Sequence, residues 1–464
     1  MTRVLVAGVA ALLALGCGRL GFDARASGDG SPGDGDGSDG PPLDAAPPGA
    51  ACMHAPVTGP AIYVSPSGTD SNAGTSASPV ATVTRAHALA ANNSTIVVRA
   101  GTYANEPGNE ISIDKTNIRL ISEQPYAARV PRISCDACNG LTVEQFEITG
   151  SSVSCMQVSF GLNVTIRDNI IHGCAQAGVR IAGDVTGTLV ESNVIYDSVN
   201  ALVHVNQNSN VNVRDNVIFE STPGGTFPMI WLEGIVSSTF SGNVVFNGRR
   251  DTMQYGNVAL GDVSNVVIEN NLFGPHQAAA TIDGAIGLDD SSGTASIRFN
   301  TFRGPFNGVA FGTSRKGGLM GGATFTITHN IFVSPTNTTQ LFSDSTSASP
   351  DGFVLDRNLY WNPPSGAFVE TASSLGPGDD TRALVMDPAV VAAGAQTPPV
   401  WMPGSQMFAG GSTNACDLRT RLITALAVVP SSSPAVGRSL APPPAFDIRG
   451  NARPAAATLG AFEP

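Results

Sequence analysis

Arg180, His204 and Trp231 lie far apart in the chain, yet each sits in the same local setting: "GVRIAGD", "LVHVNQN" and "MIWLEGI". Each is flanked by an apolar residue on either side, and two places further on stand Ala182, Asn206 and Glu233. "NVALGDV", "AIGLDDS" and "GVAFGTS" repeat the pattern and add Asp262, Asp289 and Asp290. Were these segments stacked as neighbouring strands, saccharide chemistry would be open to them by three routes. A hydrolase needs one protonated and one ionised carboxyl across the scissile bond; Glu233 and Asp289 fall two strands apart, about 9.5 Å, at the upper end of the inverting range. Asp262 and Asp290 are alternative members of that pair. A lyase would use His204 as base and Arg180 to neutralise a uronate, with calcium as a possible cofactor on the hard oxygens of Asp289 and Asp290. A site that only binds would stack a sugar ring on an exposed Trp231 and bond its hydroxyls to Asn206, Gln207 and Asp262. The bland alternative is that these residues merely pack under loops, on a structural or adhesive surface protein.

The element that would position them is a strand of alternating faces. With Ile181, Val205, Leu232, Leu260, Leu288 and Phe311 turned inward, one outward column reads Arg180, His204, Trp231, Ala259, Gly287, Ala310, and the next reads Ala182, Asn206, Glu233, Gly261, Asp289, Gly312. Gly183, Gln207, Gly234, Asp262, Asp290 and Thr313 stand where each strand enters its turn. A second series runs through "TIRDNII", "LVESNVI", "VNVRDNVIF", "TFSGNVV", "VIENNLF", "SIRFNTF", "TITHNIF" and "VLDRNLY". Its asparagines, Asn169, Asn193, Asn216, Asn243, Asn271, Asn300, Asn330 and Asn358, recur at uneven steps, as in a solenoid with loops of variable length. Each is expected at a tight bend, in the left-handed conformation, stacking its amide on that of the next coil.

Charged residues make up only 13 % of the 464, with 52 Gly and 32 Pro, a strand-and-turn composition. The net charge is −12 and the two lysines are Lys115 and Lys316, which argues against nucleic acid and against an unaided polyuronate. Residues 1–17, "MTRVLVAGVAALLALGC", have the anatomy of an export signal, with an apolar run too short to span a bilayer. Their end resembles a bacterial lipobox, which implies a lipid on Cys17; with Gly18 following, it implies anchoring at the outer membrane or cell surface of a Gram-negative bacterium. Residues 18–60 read as a disordered acidic Gly/Asp/Pro tether. Six further cysteines in an oxidising compartment point to disulfides. Cys155 pairs with Cys174 across adjacent coils, while Cys135 and Cys138 join each other or lose one member to the next coil. Zinc at Cys135-x-x-Cys138 lacks a second pair at suitable spacing.

"IYVSPSGTDSNAGTSASPVATVTRAHALAANNSTIVVRAGTY" holds a strand, a turn cluster, a short helix from about Val80 to Ala91 and another strand. It resembles the opening of right-handed parallel β-helix proteins of the alginate and chondroitin lyase group and related domains of unknown function, in which the helix caps the open coil. The resemblance implies an all-β fold: a pectate-lyase-like right-handed parallel β-helix over 61–362 with an Asn ladder and an N-terminal capping helix. In such coils the sheet carrying the outward columns forms a saccharide groove. "SSSPAVGRSL" and "FDIRGNARPAAATLGAFEP" resemble the closing segment of extracellular members, so the irregular, Pro/Gly/Ala-rich 363–464 is expected to be a lid on the second end, with a short helix near "ACDLRTRLITALAVV". The expected partners are a polysaccharide or cell-surface glycan and, through the anchor alone, a membrane; the protein is expected to be a monomer.

Overall fold

Short Val- and Ile-rich strands recur along the chain, each too short to be stable except beside its copies. In the computed structural model they stack in register. The structure describes residues 55–221, 227–248, 258–274, 286–289, 293–304, 309–313, 323–333, 340–343, 352–362, 374–390, 397–426 and 428–464. Cys17, Cys52, Asp290 and nearly all of the tether lie outside these residues. Each coil visits three sheets in a fixed order. Leu189–Glu191 lies on the first sheet, Val194–Ser198 on the third and Val203–Ser209 on the second; Asn212–Arg214 then returns to pair with Leu189–Glu191 in parallel. Among the described residues the sheets hold 12, 11 and 12 strands. The inward side chains form one continuous core from Val64 to Tyr360, including the stack Phe273, Phe302, Phe332, Tyr360 with ring centroids 4.8, 4.7 and 5.4 Å apart. This is a parallel β-helix.

The eight asparagines are fully buried between the first and third sheets. Nδ2 of each donates to Oδ1 of the next, at 3.0 Å from Asn169 to Asn193 and 2.9 Å from Asn330 to Asn358. The same oxygen also accepts the backbone N–H of the preceding asparagine, as Asn216 Oδ1 does from Asn193 at 2.9 Å. All eight amides point the same way, and Asn358 donates to the carboxylate of Asp380 at 2.7 Å. One expectation needs correcting. The left-handed residue of the bend is not the asparagine but the residue before it: Asp168, Ser192, Asp215, Gly242, Asn270, Phe299, His329 and Arg357 all have φ between 49° and 65°. The neighbour makes the bend, which frees the asparagine to point inward. Two places before the asparagines the outward column runs Arg167, Glu191, Arg214, Ser241, Glu269, Arg298, Thr328 and Asp356, with Glu144 one coil earlier, so charge alternates from Glu144 to Arg214 and again from Glu269 to Arg298. Arg167–Glu144, Arg214–Glu191 and Arg298–Glu269 are each 2.8 Å ion pairs.

The first coil is covered by helix α1 (Val83–Leu89), whose Val83 and Ala86 are buried. Its N-terminal N–H groups donate to Glu106, at 2.6 Å from Val83, and Thr82 caps it by accepting from Arg85 N. Lys115 Nζ donates to the carbonyl of Ala90 beyond the other end, 2.6 Å away. The C-terminal segment does more than close the second end. Ser374–Leu375 and Leu384–Val385 add strands there, but residues 400–463, with helix α2 (Ala415–Leu426), run back along the flank of the third sheet. They cover Tyr196, Phe219 and Phe246, stacked on the sheet's outer face. Polar anchors come from the left-handed column: Asp215 pairs with Arg419 at 2.7 Å, Asn270 accepts from Arg453 at 2.8 Å and His329 accepts from Leu440 N at 3.3 Å. Disulfides join Cys135 to Cys138 and Cys155 to Cys174, with Cα atoms 5.5 and 5.6 Å apart, and Cys416 is also disulfide-bonded.

Candidate saccharide-binding face

The second sheet presents the two outward columns. Along Val203–Ser209, Val203 and Val205 are buried while His204 and Asn206 face out; along Ile230–Val236, Ile230 and Leu232 are buried while Trp231 and Glu233 face out. The registers Arg180↔His204, His204↔Trp231, Trp231↔Ala259 and Ala259↔Gly287 place one column in line. Ala182↔Asn206, Asn206↔Glu233, Glu233↔Gly261 and Gly261↔Asp289 place the other. At the corner beyond the strands, Gly183, Gln207, Gly234 and Asp262 have φ of 83°, 56°, 61° and 51°, so each coil turns through the same left-handed position. Gln207 and Asp262 are exposed there.

The columns differ from expectation at their far end. Phe311 pairs with Ile286 and Gly312 with Gly287, so Leu288 is not opposite Phe311 and Asp289 is not opposite Gly312. A slip of two residues leaves every side chain on its own face, so alternation alone cannot detect it.

Within the columns the side chains interact along the coil axis. The His204 ring stacks on Trp231 with centroids 5.0 Å apart and planes 16° apart, and Phe227 stacks at 6.1 Å. Trp231 is half-buried, and a ring face that the sequence assigned to a sugar is occupied by protein. Asn206 Nδ2 donates to Glu233 Oε2 at 2.9 Å. Burial, reinforced by the Arg180 guanidinium, pushes the pKa of His204 down to about 4. A histidine held neutral so far below the working pH is a weak general base, which counts against the lyase assignment of Arg180 and His204. Among the described residues no cluster of three or more His, Cys, Asp or Glu could hold a metal ion.

Two features of this face were not singled out in the sequence. Asn208, two places past Asn206, is 5 % exposed; it accepts from Val185 N at 2.7 Å and donates to Ile181 O at 3.0 Å, a second internal amide. The columns also begin earlier. Asp136↔Ser159↔Ala182 and Ser134↔Gln157↔Arg180 are in register, and Phe160 follows Ser159 into the left-handed corner. "CMQVSFG" obeys the same alternation as "GVRIAGD" but offers no histidine or carboxylate to draw attention.

Residues 86–229 match the family model of the right handed beta helix region. The turn of the coils is right-handed. No curated protein matches the chain. Among solved structures, the fold is similar to that of pectate lyase Pel9A, at 15 % identity over 88 % of this chain and 97 % of that one, TM-score 0.44. It is also similar to a GH136 lacto-N-biosidase from Eubacterium ramulus, at 11 % identity over 70 % and 66 %, TM-score 0.46. An alginate lyase from a Paenibacillus species matches at 14 % identity over 62 % and 95 %, TM-score 0.40.

Proposed function

We propose that the chain is an exported, lipid-anchored protein that binds polysaccharide along the outer face of its second sheet. The observation that carries the reading is the register that lines Arg180, His204 and Trp231 beside Asn206, Gln207 and Glu233. A wall that only packs would have no use for that mixture of cation, rings, amides and carboxylate on consecutive coils. The anchor rests on "ALGC" and the tether behind it. Cys17→Ala should release the protein from membranes in a fractionation experiment; unchanged partitioning rules the anchor out.

A second reading, hydrolysis by Glu233 and Asp289, is favoured by one feature: the two share a column with only Gly261 between them. Two rungs are about 9.5 Å, which leaves room for a water and corresponds to inversion. A polysaccharide panel assayed for new reducing ends and for the absorbance of unsaturated products separates hydrolysis, elimination and binding alone. Glu233→Gln should abolish reducing-end release and spare binding if the carboxylates are catalytic. Asn206→Ala combined with Gln207→Ala should weaken binding under either reading; wild-type affinity in that variant for every bound glycan removes the face from consideration.

A further inference from the structure

Phe160 leaves 60 % of its surface in solvent. It fills the corner position with φ 53°, where later coils place Gly183, Gln207, Gly234 and Asp262. The coil imposes that backbone whichever residue is present, and a bulky aromatic residue suits it poorly. Its ring lies against Gly183 of the next coil, where an added Cβ would stand 3.1 Å from both Cε1 and Cζ. The missing side chain gives the ring a backbone seat and leaves the rest of it open.

An exposed acidic residue stands close in register on each neighbouring coil. Asp136 is exposed and in register with Ser159, the residue before Phe160. Asp184 is exposed and follows Gly183. Among the described residues neither takes part in an ion pair. Arg180 is in register with Gln157 rather than with Phe160, and Arg132 is engaged by Glu110 at 3.3 Å and by Gln157 at 2.9 Å. An aromatic platform with an acceptor-only residue on the coil before it and another on the coil after it matches a sugar ring with an apolar face and hydroxyl or ammonium donors around its edge. A uronate there would bring a third negative charge beside the other two.

We infer that Phe160, Asp136 and Asp184 form a subsite for a neutral or amino sugar, which stacks on Phe160 and donates hydrogen bonds to the two carboxylates. The inference rests on the saccharide-binding reading and narrows its ligand class.

Calorimetric titration of the full chain with cello-, manno- and chito-oligosaccharides, chitosan oligomers, and oligomers of polygalacturonate and alginate tests it. The expected result is binding of a neutral or amino oligosaccharide, weakened about ten-fold or more by Phe160→Ala at unchanged melting temperature. Phe160→Trp should retain binding. Asp136→Asn combined with Asp184→Asn should raise the affinity for uronate oligomers relative to neutral ones. Preference of the wild type for uronates, or indifference of the bound sugar to Phe160→Ala, overturns the subsite while leaving saccharide binding in place. Failure to bind any of these glycans overturns the subsite and the broader reading together.

Discussion

His204 is held between Arg180 on one coil and the Trp231 ring on the next, and it stays neutral down to a pKa of about 4. The unfolded chain takes up that proton near the ordinary value of 6.5. Between those two values the unfolded state therefore binds more protons, and stability falls as the pH drops through the window. Above it, His204 has no effect on the pH dependence. The loss by the lower end is roughly 3 kcal/mol. His204→Phe keeps a ring on Trp231 and removes the titration, so the difference between urea unfolding at about pH 7 and about pH 4.5 should shrink in that variant. An identical difference in both proteins assigns the effect elsewhere. The alignment of Arg180, His204, Trp231, Asn206 and Glu233 was legible in the sequence because outward residues alternate with valines, isoleucines and leucines at a period of two. That Trp231 would spend a ring face on His204 was not, because the two meet only through register across coils. Phe160 escaped notice because its importance comes from a corner conformation, which leaves no periodic trace.

A coil is three short strands joined by bends, and the bend after the first-sheet strand depends on two adjacent residues with separate duties. The asparagine series was legible as a repeat. Which residue turns the chain was not, since the left-handed position accepts Asp, Ser, Gly, Asn, Phe, His and Arg alike. The alternating charges two places before the first asparagines were present in "TIRDN", "LVESN" and "VNVRDN" and pass for ordinary surface polarity until the coils are stacked. The slip beyond Ile286–Asp289 was hidden for the reason that parity survives a two-residue shift. Asn216 accepts from the backbone and side chain of Asn193 and donates to Asn243 and to Val190 O, all of them buried. Asn216→Ala should cost about 3 kcal/mol, as partners out of reach of water lose their bonds. Ser237→Ala, at an exposed bend nearby, should change stability little. Chemical denaturation of the two variants decides the point: equal midpoints mean that the amides do not hold the coils.

At the scale of the whole molecule, the third sheet from Ile170 to Leu359 is largely apolar on both faces, with the core on one side and residues 400–463 on the other. The sequence suggested a closing segment, but not its path along the flank. That path is set by contacts between residues distant in the chain, such as Tyr196 with Trp401 N at 3.2 Å and Thr301 with Ala461 N at 3.0 Å. Arg419 is 6 % exposed and serves Asp215, Gly242 O and Ile448 O together. Arg419→Met would strand a buried carboxylate, at a cost of about 3–5 kcal/mol. The flank should loosen before the coils unfold: a dye specific for exposed apolar surface should bind while the far-ultraviolet circular dichroism stays that of strand. Dye binding that appears only as the circular dichroism is lost means the segment and the solenoid form one cooperative unit.

The one-way amide series has a further consequence, for how long such a protein can be. Every asparagine in the row both receives from the coil before it and gives to the coil after it, so a duplicated coil inserted anywhere between Asn169 and Asn358 would find a donor waiting on one side and an acceptor on the other. Asp380 receives from Asn358 and, as a carboxylate, has no hydrogen to pass on. Tyr360 spends its hydroxyl on the same oxygen at 2.9 Å. The row is therefore open to growth in its middle and chemically stopped at its end, a terminator that lets gene duplication lengthen the solenoid without inviting one molecule to continue into the next.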